Sequence, residues 1–167
     1  AEFLPPEHES EPWQQDPHLL VQSPSNPDRL WVQHHNGIFF SSDGSASWQE
    51  LHAKPSSFGF AVAVHPNEPD TAWFVPGIKD ELRIPVDGKL IVTRTRDGGK
   101  TWTSLANGLP QTHAYDLAYR HALTIDKTGN RLGFGTTTGN LFVTEDQGDS
   151  WTEISHTLPP VHAVRFI

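Results

Sequence analysis

The sequence predicts an all-β fold of about three consecutive four-stranded antiparallel units, and three observations carry that expectation. A turn of fixed grammar occurs three times, at Ser41-Ser42-Asp43-Gly44-Ser45-Ala46-Ser47-Trp48, Thr95-Arg96-Asp97-Gly98-Gly99-Lys100-Thr101-Trp102 and Thr144-Glu145-Asp146-Gln147-Gly148-Asp149-Ser150-Trp151. Its tryptophans recur at intervals of 54 and 49 residues, the mark of a repeat. Between the turns lie short β-branched and aromatic runs punctuated by Pro, Gly, Asn and Asp, with no helical periodicity.

The grammar of the turn is physical. Asp43, Asp97 and Asp146 are short carboxylates able to accept backbone N–H bonds across a tight reversal. Glycine follows in each copy to permit positive φ, with Ser45 standing where the middle copy has Gly99. Trp48, Trp102 and Trp151 then begin the next strand as large apolar anchors, expected in the core. Because the aspartates recur once per unit, they lie a unit apart and cannot converge on one substrate, so the expectation for them is structural.

Taken in order, residues 1–17 carry Pro5, Pro6, Pro12 and Pro17 and read as an irregular connector from a preceding unit. The first unit spans 18–51. Its strands are His18–Gln22, Leu30–Gln33, Gly37–Ser41 and the stretch from Trp48, with a turn at Pro24–Asp28. The second spans 52–105 and repeats the pattern, Pro66-Asn67-Glu68-Pro69-Asp70-Thr71-Ala72-Trp73 matching Pro24 to Trp31. The third, 106–154, is looser: Leu123-Thr124-Ile125, a turn at Thr128-Gly129-Asn130, Leu132–Gly135 and Asn140–Thr144. Residues 155–167 form a connector and then Val161–Ile167, a strand that begins a further unit or closes the array.

This alignment supplies a ruler. From the second-strand aromatic to the turn tryptophan there are 17 residues in the first and third units and 29 in the second. The surplus of 12 residues is an insertion at 77–88, between second and third strands. In an up-and-down unit, second-to-third turns and inter-unit connectors share one face, opposite the third-to-fourth turns. The insertion therefore sits on a loop face, with the connectors and away from all three Asp turns, where function is commonly grafted.

The motif Ser/Thr-x-Asp-x-Gly-x-Thr/Ser-Trp resembles the Asp-box of BNR-repeat β-propellers, which include sialidases and sortilin-type receptors. The order of elements further resembles the C-terminal half of bacterial glycosyl hydrolase-like BNR-repeat proteins. The residues that carry this are Phe3-Leu4-Pro5, Phe58-Gly59-Phe60 with His65-Pro66, Arg83-Ile84-Pro85 and Arg94 to Gly99. The resemblance implies a β-propeller fragment of three blades, with boxes at 41–48, 95–102 and 144–151 as structural turns. Propellers usually need at least four blades, so the partners expected are remaining blades, from a longer chain or a homo-oligomer. The lack of Met, even at position 1, fits a piece of a longer or processed chain.

Candidate ligand-binding residues on the loop face are His34, His35, Asp80, Glu81, Arg83, Tyr115, Asp116 and Arg120. Arg83-Ile84-Pro85 resembles the Arg-Ile-Pro of sialidases, whose arginine clamps a substrate carboxylate, although Leu82 replaces the usual preceding aromatic and the motif lies between boxes. The same resemblance makes Tyr115 a candidate nucleophile, with packing against the next blade as the other reading. Two functions follow. One is a non-catalytic propeller presenting its loop face to a ligand, glycan or partner protein; the other is a sialidase-like hydrolase whose site is shared with absent blades. A carboxylate pair about 5–10 Å apart beside an arginine would mark the hydrolase.

Composition narrows the remainder. A net charge of −8 argues against a nucleic-acid surface. No apolar run approaches the length of a membrane span. The lack of cysteine excludes a disulfide scaffold and leaves the compartment undetermined. Ten histidines show no metal-ligand spacing, and His34 and His35 would point to opposite faces of a strand, so no metal or cofactor is expected.

Overall fold

The computed structural model describes residues 16–167; residues 1–15 of the expected entry connector, with Phe3-Leu4-Pro5, lie outside it. Among the described residues twelve strands form three separate four-stranded antiparallel sheets, each ordered as the chain runs. The first holds β1 (Pro17–Gln22), β2 (Leu30–His34), β3 (Gly37–Ser41) and β4 (Gln49–Leu51). The second holds β5 (Gly59–Val64), β6 (Ala72–Pro76), β7 (Val92–Thr95) and β8 (Thr103–Leu105). The third holds β9 (Leu123–Ile125), β10 (Leu132–Gly135), β11 (Leu141–Thr144) and β12 (Thr152–Ser155). β1 packs beside β5 and β5 beside β9, so the first strand of each sheet is the inner one and the sheets succeed one another as blades.

Apolar layers between blades hold the array together. Trp31, Ile38, Phe40 and Leu51 of the first blade meet Val62, Val64 and Phe74 of the second. Trp73, Val75, Val92 and Leu105 of the second meet Leu123, Leu132, Phe134 and Trp151 of the third. Burying an aromatic side chain of this size contributes a few kcal/mol, to within about a factor of two. Each second-strand tryptophan also spends its polar atom on the next blade: Trp31 Nε1 donates to Pro69 O at 3.0 Å, and Trp73 Nε1 to Gln147 O at 2.9 Å. Buried Arg94 adds a second bond to Gln147 O and an ion pair with Asp149, both at 2.9 Å.

The three Asp turns superpose bond for bond. In the middle copy Asp97 Oδ1 accepts Thr95 Oγ1 and Thr101 N at 2.9 Å, while Oδ2 accepts Thr101 Oγ1 at 2.6 Å. Thr95 Oγ1 in turn accepts Gly99 N at 2.9 Å. Asp43 repeats this with Ser41 and Ser47, and Asp146 with Thr144 and Ser150. The two residues after each aspartate are left-handed, with φ of 67° and 74° at Gly44-Ser45, 71° and 87° at Gly98-Gly99, and 61° and 96° at Gln147-Gly148. Only the middle copy has the residue without strain at both positions.

The bonds favour the ionised carboxylates. Ser47 above all holds Asp43 below its ordinary pKa, and Thr101 does the same for Asp97. At Asp146 burial pushes upward, and the bonds from Ser150 and Thr144 outweigh it, so its pKa is also lowered.

Two expectations about apolar residues are modified. Trp151 is buried, but Trp48 and Trp102 are only half-buried. Trp102 still packs on Phe74, ring centroids 5.7 Å apart. Residues 161–167 make a single parallel bridge, Ala163 to His121, instead of a full strand. Val161 N and Val164 N donate to Thr136 O and His121 O at 2.9 and 3.0 Å, placing the segment beside the third blade. Gly135 makes room for it, since a methyl there would lie 2.2 Å from Val161 Cγ1. Among the described residues no helix is long and apolar enough to cross a membrane.

Candidate functional site

The loop face is built from parts that the blades do not share. The first blade passes from β2 to β3 in a tight turn at Asn36, whereas the second uses residues 77–91. That longer segment is a folded appendage. Ile78 N donates to Ile84 O at 2.9 Å, and Leu82 bridges Lys79. A single 3₁₀ turn at Val86–Gly88 follows Pro85. Backbone bonds sew it to connectors on both sides: Gly77 N to Phe58 O at 2.9 Å, Leu90 N to Pro110 O at 2.9 Å and Ala114 N to Gly88 O at 3.0 Å.

Where the appendage meets the inner strands, side chains from all three blades gather on Phe60 of β5. Arg83 and Arg120 place their guanidinium carbons 5.2 and 5.9 Å from its ring centroid. His18 of β1 stacks on it at 4.2 Å, and Tyr119 lies against it at 5.1 Å. Phe58 and Leu117 close the apolar base. Arg83 pairs with the Asp80 carboxylate and donates Nε to Asp80 O at 3.0 Å. Hydrogen bonding to Tyr119 is the largest influence on Arg83; burial opposes it, and with the Asp80 contacts added the guanidinium pKa is raised. Arg120 donates Nε to His18 O at 2.8 Å, which ties the connector before β9 to β1 across the middle of the array.

Histidines and one acid continue the patch at the start of β1. His18 Nδ1 lies 2.6 Å from Gly59 O, and its Nε2 is 3.6 Å from Asp16 Oδ2. His35 Nδ1 approaches the same oxygen at 3.7 Å. Burial lowers the His18 pKa, so the ring is neutral near pH 7. Burial, with His18 nearby, lowers His34 further, to about 4. Backbone N–H groups of Asp16 and Asn36 face its two ring nitrogens at 3.2 and 3.1 Å. A neutral imidazole accepts from only one of them and an imidazolium from neither, so geometry opposes protonation too.

The predicted candidates divide. Arg83 and Arg120 share the Phe60 ring, and Asp80 pairs with Arg83. Glu81, exposed, faces Lys79 at 3.6 Å. His35 is half-exposed beside Asp16. His34 is 0% exposed, which removes it from ligand contact. Asp116 is buried as well: its Oδ1 accepts Thr138 Oγ1 at 2.5 Å and Asn140 Nδ2 at 2.6 Å, so it clasps the connector to the β10–β11 turn. Tyr115 is exposed and lines a separate cleft with Ile84, Asp87 and His113. The tyrosine beside Arg83 is instead Tyr119.

Phe60, Tyr119, His18 and Asp16 were not singled out from sequence. The one signal that pointed near them was Phe58-Gly59-Phe60, two aromatics spaced two apart at a strand start. Successive strand side chains alternate faces, so such a pair shares a face.

No protein-family model matches the chain, and no curated protein matches it. Solved structures do. An ancestral GH74 enzyme aligns at a TM-score of 0.64 with 16% identity, over 84% of this chain and 18% of its own. The GH74 xyloglucanase from Xanthomonas campestris gives 0.64 and 19%, over 87% and 21%. YCF48 from Cyanidioschyzon merolae gives 0.58 and 19%, over 87% and 38%, and a structure of YCF48 bound to D1 peptide gives 0.55 and 16%, over 86% and 44%. These are β-propeller proteins, and the likeness defines the present fold as blades of that class. The chain spans about a fifth of the length of the GH74 enzymes and less than half that of YCF48.

Proposed function

We propose that the chain is part of an Asp-box β-propeller of the BNR type whose loop face binds a ligand without transforming it, and that further blades, from a longer chain or a second copy, complete the ring. The observation that carries the binding reading is the pair of guanidinium groups, Arg83 and Arg120, set over one ring, Phe60, on the face opposite the Asp turns. Guanidinium groups held over an aromatic plane suit an acidic, partly apolar partner such as an extended acidic peptide. Binding of a peptide by YCF48, a propeller of the same class, is in keeping with this.

The hydrolase reading requires carboxylates free to act as a pair. Among the acids predicted as candidates, Asp80 is committed to Arg83, Asp116 to Thr138 and Asn140, and Glu81 faces Lys79. The test is calorimetric titration with an acidic, aromatic-containing peptide, alongside incubation with an aryl sialoside and with xyloglucan oligosaccharides. Saturable peptide binding, weakened at least about tenfold by Arg83→Ala, supports the reading. Release of the aryl group or shortening of an oligosaccharide would overturn it in favour of the sialidase-like or another glycosidase activity.

A further inference from the structure

Asp16, His18 and His35 each offer one donor atom, and the three atoms lie within 4.8 Å of one another. We propose that these residues form a binding site for a divalent transition metal of the zinc class. The inference is independent of the peptide-binding reading and replaces the expectation of no metal drawn from residue spacing.

The tautomer of His18 is fixed by its backbone partner. Gly59 O can only accept, so Nδ1, 2.6 Å away, carries the proton and donates. Nε2 therefore holds the free lone pair, and it is the atom turned toward Asp16 at 3.6 Å. A ring that donates its far N–H to a backbone carbonyl is the usual support of a metal-bound histidine, fixing orientation and raising basicity.

Ligands at about 2.0–2.1 Å from a tetrahedral zinc lie about 3.3 Å from each other. The two contacts of Asp16 Oδ2, at 3.6 Å to His18 Nε2 and 3.7 Å to His35 Nδ1, need close by only a few tenths of an ångström, and the widest separation in the group, within 4.8 Å, closes by rotation of the half-exposed His35 side chain.

The site is preorganised. His18 is fixed by its stack on Phe60. The Asp16 carbonyl accepts His35 N at 3.0 Å, which holds the backbones of these two ligands together. Two imidazoles and a carboxylate suit zinc and its neighbours over magnesium or calcium, which prefer oxygen. Arg120, bonded to His18 O, is the opposing cation, and the Asp16 carboxylate offsets it. Asp16 and His35 remain solvent-accessible, so a fourth position is open to water or to an anionic group of a bound ligand.

The ligands were hidden in sequence because β-pairing assembles them. Pro17 pairs with His34 across β1 and β2, which brings Asp16 and His18 beside His35 although no helical or loop motif spaces them.

The test uses the untagged chain, stripped with chelator and titrated with Zn²⁺ in a calorimeter. One equivalent is expected, weakened at least about tenfold in both His35→Ala and Asp16→Asn. Both side chains are partly exposed, so both variants should fold, which circular dichroism checks. His52→Ala and His156→Ala, which remove exposed histidines on other parts of the surface, should leave the titration unchanged. Sub-stoichiometric uptake overturns the site. So does binding that persists in His35→Ala and Asp16→Asn, or that disappears with His52 or His156.

Discussion

The two faces of this array follow opposite rules. On the turn face three copies of one structure repeat atom for atom, from the aspartate bonds to the bond linking each copy to its own blade's first turn: Gly44 N to Asp28 O, Gly98 N to Asp70 O and Gln147 N to Asn130 O, at 2.9–3.0 Å. On the loop face a backbone bond closing the first strand pair recurs, His35 N to Asp16 O, Gly77 N to Phe58 O and Gly135 N to Ala122 O, but among the described residues the side chains gathered there do not repeat. One blade supplies His18 and His35, the next Phe60 and Arg83, and the connector before the third Tyr119 and Arg120. Repetition marks what every blade needs in order to fold. Departure from it marks where chemistry collects.

The largest test of that contrast is collective. All three turn aspartates titrate below their ordinary value, and so each contributes stability that is complete above the unfolded pKa of about 3.9 and is lost as pH falls through the lower folded value. Acid titration followed by circular dichroism should show the loss concentrated below about pH 4. A chain equally stable at pH 3 and pH 7 would contradict the structural role of the turns.

Removing one carboxylate is the next step down. Asp97→Ala leaves Thr101 N and the hydroxyls of Thr95 and Thr101 without their shared acceptor, and should cost about 1–3 kcal/mol in urea unfolding. Smaller still is a gain. Ser45 occupies a left-handed position, φ 74°, that Gly99 and Gly148 fill without strain in the other copies. Ser45→Gly should therefore stabilise by up to about 1 kcal/mol, less the extra entropy of the unfolded glycine. The smallest effect is on the other face. Arg83→Ala removes an exposed ion pair and should alter stability by no more than about 0.5 kcal/mol. A loss as large as that of Asp97→Ala would erase the distinction between the faces.

How much was legible in the sequence follows the same division. The Asp turns declared themselves because each must place a carboxylate, two left-handed residues and a hydroxyl at fixed spacing, and that requirement recurs. The insertion expected at 77–88 was legible because it breaks the interval between second-strand aromatic and turn tryptophan; the structure's β6–β7 connection runs over 77–91. The grouping on Phe60 was not legible. An irregular connector has no period, so nothing in 106–122 says that Tyr119 turns inward while Tyr115 turns to solvent. Likewise no pattern in β2 distinguishes His34, sealed at 0% exposure, from its neighbour His35 at the surface, until the strand's partner is known.

The separation of fold from site is tested most directly by thermal unfolding of Asp97→Ala and His35→Ala, each with and without one equivalent of Zn²⁺. A ligand bound only by the folded chain raises the midpoint, so metal binding is read in the same scan as stability. The account predicts that Asp97→Ala melts lower than the parent and keeps the zinc-induced rise, while His35→Ala melts with the parent and loses it. A rise that survives in His35→Ala, or one that vanishes in an Asp97→Ala chain still folded before the scan, would contradict it.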